Sequence, residues 1–144
     1  MTQSHPIIRI HGIKGAQSAC RVLGDRRFDL LSPEHAGMTH GAQWLTDLVR
    51  ITRAEFSDAQ FAAILDCRGR VSSALAAIEN GLDGIIVDAL PRDQRERLGD
   101  MARQMNCQVM TEAPSANTVY GMDDHRLPDH ELDRRLLAQL GNWS

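Results

Sequence analysis

The sequence predicts an α/β protein built on a mostly parallel sheet, and three observations predict it. Short apolar runs recur along the chain: Ile7-Ile8-Arg9-Ile10, Phe28-Asp29-Leu30-Leu31, Ala62-Ala63-Ile64-Leu65, Gly84-Ile85-Ile86-Val87 and Gln108-Val109-Met110. Each ends abruptly in polar residues: His11-Gly12, Ser32-Pro33-Glu34-His35, Asp66-Cys67-Arg68, Asp88 and Thr111-Glu112. Between the runs lie stretches with helical spacing. A short apolar run bounded by turn signals suits a strand buried on both faces, and strands that alternate with helices pair in parallel. Parallel strands share one direction, so their polar ends line one rim, where open α/β sheets and α/β barrels bind ligands. The expected architecture is a single domain of about five strands. A flavodoxin-like doubly wound sheet with helices on both faces is the first choice, and a half-barrel the alternative.

Each connecting unit has its own signature. A helix starting near Lys14 carries Ala16, Ala19, Cys20 and Leu23 on one stripe and ends at Gly24. A longer connection with Gly37 and Gly41 leads to a helix from Ala42 to Glu55 that buries Leu45, Leu48, Val49 and Thr52. After the strand at 61–65, Ser72 or Ser73 is placed to cap a helix with Ala74, Ala77 and Ile78, closed by Asn80-Gly81. The strand at 84–88 follows at once. Pro91 suits the first turn of the next helix, whose stripe is Leu98, Met101, Ala102 and Met105, with Asn106 at its end. This α/β core occupies residues 1–114. In residues 115–144, the segment from Ser115 to Leu127 reads as an ordered loop. Pro128-Asp129 then opens an amphipathic helix with Leu132, Leu136, Leu137 and Leu140, packed on the core or on a second subunit.

The composition excludes several classes. A chain of 144 residues matches one ordinary domain, long enough to bury roughly 70% of its unfolded surface. With a formal net charge of -3 and interleaved Arg and acidic residues, it lacks the basic stripe that nucleic acid requires. Met1-Thr2-Gln3-Ser4-His5 does not open a signal peptide, and no apolar run reaches membrane-span length. Cys20, Cys67 and Cys107 are an odd number at wide spacing, which suits reduced thiols in a cytoplasmic protein better than disulfides or zinc.

The stretch Ala74-Leu75-Ala76-Ala77-Ile78-Glu79-Asn80-Gly81-Leu82-Asp83-Gly84-Ile85-Ile86-Val87-Asp88 is similar to helix-then-strand units of aldolase-like and phosphate-binding (β/α) barrels. The run Ile64-Leu65-Asp66-Cys67, with the Ala/Leu-rich helix after it, resembles uncharacterised bacterial proteins of similar length, a likeness that implies no activity. Eight barrel units do not fit in this length, and no G-x-G-x-x-G, P-loop or G-x-S-x-G motif is present.

The candidate site residues sit at the strand ends. Asp66 and Asp88 close two consecutive strands and are the candidate catalytic acid/base pair. Arg68, Arg70, Ser72 and Ser73 offer two guanidiniums beside helix amides, a cradle for a small anion, to which Lys14 could add charge. His11, Glu34 and His35 complete the ligand-binding candidates. Against these stands the plainer reading that the carboxylates cap loops, that Arg68 pairs with Asp66 and that the serines cap their helix. Cys67 beside Arg68 is either a nucleophile or, more simply, a buried inert thiol; His40, His125 and His130 read as solvated. No spacing fixes a metal site, and no cofactor is implied. The expected function is binding of a small anionic ligand at the rim. A lyase- or isomerase-like enzyme and a non-catalytic assembly module are the alternatives. Trp44, Trp143 and the leucine-rich tail point to a homodimer.

Overall fold

A computed structural model describes residues 5–143, so the reading of no leader peptide falls mostly on residues outside it. Six strands form one wholly parallel sheet: β1 (Ile7–Arg9), β2 (Phe28–Leu31), β3 (Phe61–Arg68), β4 (Gly84–Val87), β5 (Gln108–Met110) and β6 (Val119–Gly121). The helices are α1 (Ile13–Leu23), α2 (Ala36–Thr39), α3 (Ala42–Glu55), α4 (Val71–Glu79), α5 (Arg92–Gln104) and α6 (Asp129–Gln139). No helix among the described residues is long and apolar enough to cross a membrane.

The strand order is β5-β4-β3-β2-β1-β6. From β1 to β5 each connection steps one place in the same direction, so right-handed crossovers keep all of them on one face. The packing agrees. Ile8, Phe28, Leu30, Ala63, Leu65 and Ile85 share one core with buried residues from all six helices. The step from β5 to β6 reverses direction, and its right-handed path must cross the other face. There Leu31, Ile64 and Ile86 form a second, smaller core, covered by Ala113 of the returning segment together with Ile7, Met110 and Val119. The winding therefore reverses once, at the step from β5 to β6, as in a doubly wound sheet. The expected layering differs in one respect: the second face is covered by the returning segment, with a single 3-10 turn at Ala116–Thr118, and carries no α-helix among the described residues. A return of eight residues, 111–118, is too short to hold a crossover helix as well as span the sheet.

Two elements depart from expectation. The sixth strand lies within the stretch read as a loop, and it pairs with β1 in register Ile7↔Val119 to Arg9↔Gly121. The short helix α2 occupies the long connection after β2. Gly37 lets it press directly on β3, since a Cβ there would stand 2.7 Å from the Cys67 Cα. The tail helix α6 lies along α1 of the same chain, where Leu132 and Leu136 are buried. Ser18 and Arg21 of α1 both hydrogen-bond Asp133 of α6. Leu132 and Leu136 thus have their cover within the chain, while Leu137 stays exposed. Trp143 meets Tyr120 of β6 edge to face, and Trp44 is half-buried against His40.

Candidate functional site

The C-terminal rim carries two clusters, and the first is built around Asp66. This side chain is wholly buried. It shares a strand face with Ile64, two residues back, and so lies beneath the second face of the sheet. Its Oδ1 accepts the Arg68 Nε–H at 2.7 Å. Its Oδ2 has no hydrogen-bond partner among the described residues, and the nearest cation is Arg9 Nη1 at 3.9 Å. The β3–β4 register slips between Asp66 and Arg68, and Arg68 takes φ 45°, a left-handed conformation that a residue with a side chain rarely adopts. Bulges and strained backbone of this kind gather at functional sites, where they re-aim a side chain.

Ser32 ties the cluster to β2. Its hydroxyl accepts the Asp66 N–H at 2.9 Å and donates to the Pro33 carbonyl, while its own carbonyl accepts Arg9 Nη1 at 2.9 Å. Arg9 and Arg68 then line a groove of about 330 Å³ on the second face, with Glu34, Ala113, Pro114, Ala116, Val119 and Gly121 around it. Burial lowers the Arg9 guanidinium from its ordinary value, and Glu34 and Asp66 work against that shift. The hydrogen bond to Asp66 raises Arg68, with Asp88 and Glu34 adding to it. Each arginine is held at one nitrogen, and no other hydrogen bond engages its guanidinium among the described residues.

The predicted acid/base pair is not a facing pair. Asp66 is enclosed, Asp88 is exposed beyond the end of β4, and Arg68 interacts with both. The predicted cradle lies across the start of α4. Arg70 is exposed at the start of α4, and Ser72 and Ser73 lie in its first turn without capping it. Ser73 instead donates to the Gly37 carbonyl and joins α4 to α2. Lys14 reaches the Leu127 carbonyl and Asp129, so it serves the tail. His35 is exposed at the start of α2 with φ 60°. Of the candidates, Asp66, Arg68 and Glu34 come together, joined by the unforeseen Arg9 and Ser32.

The second cluster lies where β1 and β6 end side by side. Asp124, just after β6, is buried, and its carboxylate accepts backbone N–H groups of His11, Gly12 and Gly15 at 2.9 to 3.1 Å. Gly15 permits the approach, because a Cβ there would lie 2.3 Å from Asp124 Oδ2. The His11 Nδ1 stands 3.0 Å from Asp124 Oδ1 and 3.0 Å from the Met122 carbonyl. Both neighbours are acceptors, so a neutral His11 carries its proton on Nδ1. The His125 ring lies 4.3 Å from that of His11, centroid to centroid. The sequence named His11 as a ligand-binding candidate and read His125 as solvated, but it did not name Asp124. The available signal was Val119-Tyr120-Gly121, a short apolar run that ends, like the other five, in polar residues.

Cys67 is fully enclosed, and burial, then Asp66 and Cys107, push its thiol up to about 12. That favours the inert reading over the nucleophilic one. No family model matches this chain, and no curated protein matches it.

Proposed function

We propose that this protein binds a small organic anion, a carboxylate or a phosphate ester, in the groove between Arg9 and Arg68. The observation that carries the reading is that Arg9 and Arg68 line one groove, each held at a single nitrogen. Asp66 holds Arg68 through Nε and faces Arg9, and the remaining N–H groups of both forks are donors for an anion. Glu34 on the same groove would accept a hydrogen bond from a hydroxyl or ammonium group on that ligand. A hydroxy acid or amino acid offers both features. The place supports the reading as well, since open α/β sheets bind ligands outside the carboxyl ends of their strands.

The test is a thermal-shift and calorimetric titration with inorganic phosphate, succinate and malate. A ligand at a hundred times its Kd stabilises the fold by about 2.7 kcal/mol. The gain should disappear in Arg9→Gln/Arg68→Gln and persist in Arg70→Ala/Ser72→Ala. A gain that survives the first double variant would place the anion elsewhere and overturn the proposal, as would no gain with any of the three ligands.

A further inference from the structure

The carboxylate of Asp124 already has a structural task, since Oδ2 gathers the N–H groups of Gly12 and Gly15. Oδ1 shares in that task by accepting the His11 N–H, but the task does not account for the two imidazoles beside it. Three observations there point to a cation. First, one nitrogen or oxygen from each of His11, Asp124 and His125 lies within 4.8 Å of the others. Two ligands on one ion at about 2.0–2.1 Å stand roughly 2.9–3.4 Å apart, and His11 Nδ1 and Asp124 Oδ1 are already 3.0 Å apart. Only His125, which is exposed, has to close in. Second, His11 Nδ1 faces two acceptors, Asp124 Oδ1 and the Met122 carbonyl, with one proton between them. A cation in place of that proton would meet His11 Nδ1 and Asp124 Oδ1, with the Met122 carbonyl beside them. Third, the two histidines are open to solvent while the carboxylate is enclosed, so protein atoms hold one side of the site and the other side stays free.

We propose that His11, Asp124 and His125 bind a divalent transition-metal ion of the zinc or iron(II) class. Two imidazoles and one carboxylate are too rich in nitrogen for magnesium or calcium, and three protein ligands leave coordination positions for water or substrate. Loading is an exchange: the Nδ1 proton of His11 leaves to solvent and the ion takes its place. Asp124 Oδ2 stays on the backbone N–H groups of Gly12 and Gly15, which fixes the direction in which Oδ1 points. The site stands independently of the arginine groove, from which it shares no ligand.

The test uses the full chain stripped with a chelator and titrated with Co²⁺, followed by Zn²⁺ competition and calorimetry. One equivalent of Co²⁺ should produce visible absorption that Zn²⁺ removes. His125→Ala should weaken binding by at least about tenfold, and because that side chain is exposed the fold should survive, as checked by circular dichroism. His11→Gln should act in the same direction. Two results would overturn the site: neither ion binding at submillimolar concentration, or binding that His125→Ala leaves intact, which would put the ion on other histidines.

Discussion

Asp66 is the residue on which the rim depends. A buried carboxylate that holds one guanidinium and faces a second leaves uncompensated charge when it is removed. Asp66→Ala should therefore cost about 3 kcal/mol in urea unfolding, and it should also loosen both arginines of the groove. A cost near zero would mean that Arg9 and Arg68 are held by other contacts. The thiols allow a second check at this scale. Burial pushes Cys20 and Cys107 up to about 11 and Cys67 to about 12. Near neutral pH the native chain should show no rapid reaction with a disulfide reagent. All 3 cysteines should react after unfolding, and a fast-reacting native thiol would contradict the burial. The sequence made the Asp66–Arg68 pair legible because the two lie two residues apart on one strand. Arg9 was hidden by its apolar neighbours, which made it look like one more residue of a buried run. Asp124 was hidden by distance, lying 113 residues from the His11 amide it binds, and no local pattern reports such a contact.

At the scale of the element, the tail helix shows how polar and apolar contacts share one joint. Leu136 is fully buried, whereas Leu137 is 61% exposed. Leu136→Ala should cost about 2–4 kcal/mol and Leu137→Ala close to nothing; equal costs would mean that α6 is turned differently. Burial raises Asp133, but the hydrogen bonds from Arg21 and Ser18 outweigh it and hold the carboxyl below its ordinary value. A depressed carboxyl contributes stability above its unfolded pKa of about 3.9 and loses it as pH falls through the folded value. Protection of the α6 amides, taken relative to their intrinsic exchange rates, should therefore fall below about pH 4, and less so in Asp133→Asn. The longer strands and helices were legible because each carries its own apolar run or stripe. The helix α2 was not, because its four residues hold too little periodicity, and β6 was not, because Val119-Tyr120-Gly121 lies in a stretch of turn residues. They form through what they pack against, the back of β3 and the open edge of β1.

For the whole molecule, the reversal of winding joins the first strand to the last. The strand β1 pairs with β2 on one side and β6 on the other, so the start of the chain completes only when its end arrives. Asp124 fastens that closure by drawing the β1–α1 turn onto the loop after β6. Two glycines of the turn separate this contact from simple loop flexibility. Gly12 has extended backbone, and a Cβ there would meet nothing within 4 Å, whereas a Cβ on Gly15 would collide with Asp124. Gly12→Ala should leave stability within about 0.5 kcal/mol. Gly15→Ala should cost at least about 2 kcal/mol, because it adds a clash and displaces a buried acceptor from its donors. The displaced carboxylate would also be withdrawn from His11, so the same variant should lose the affinity for Co²⁺. Urea melts of the two variants side by side decide the matter, and an equally mild effect from both would show that the ends of the chain close without Asp124.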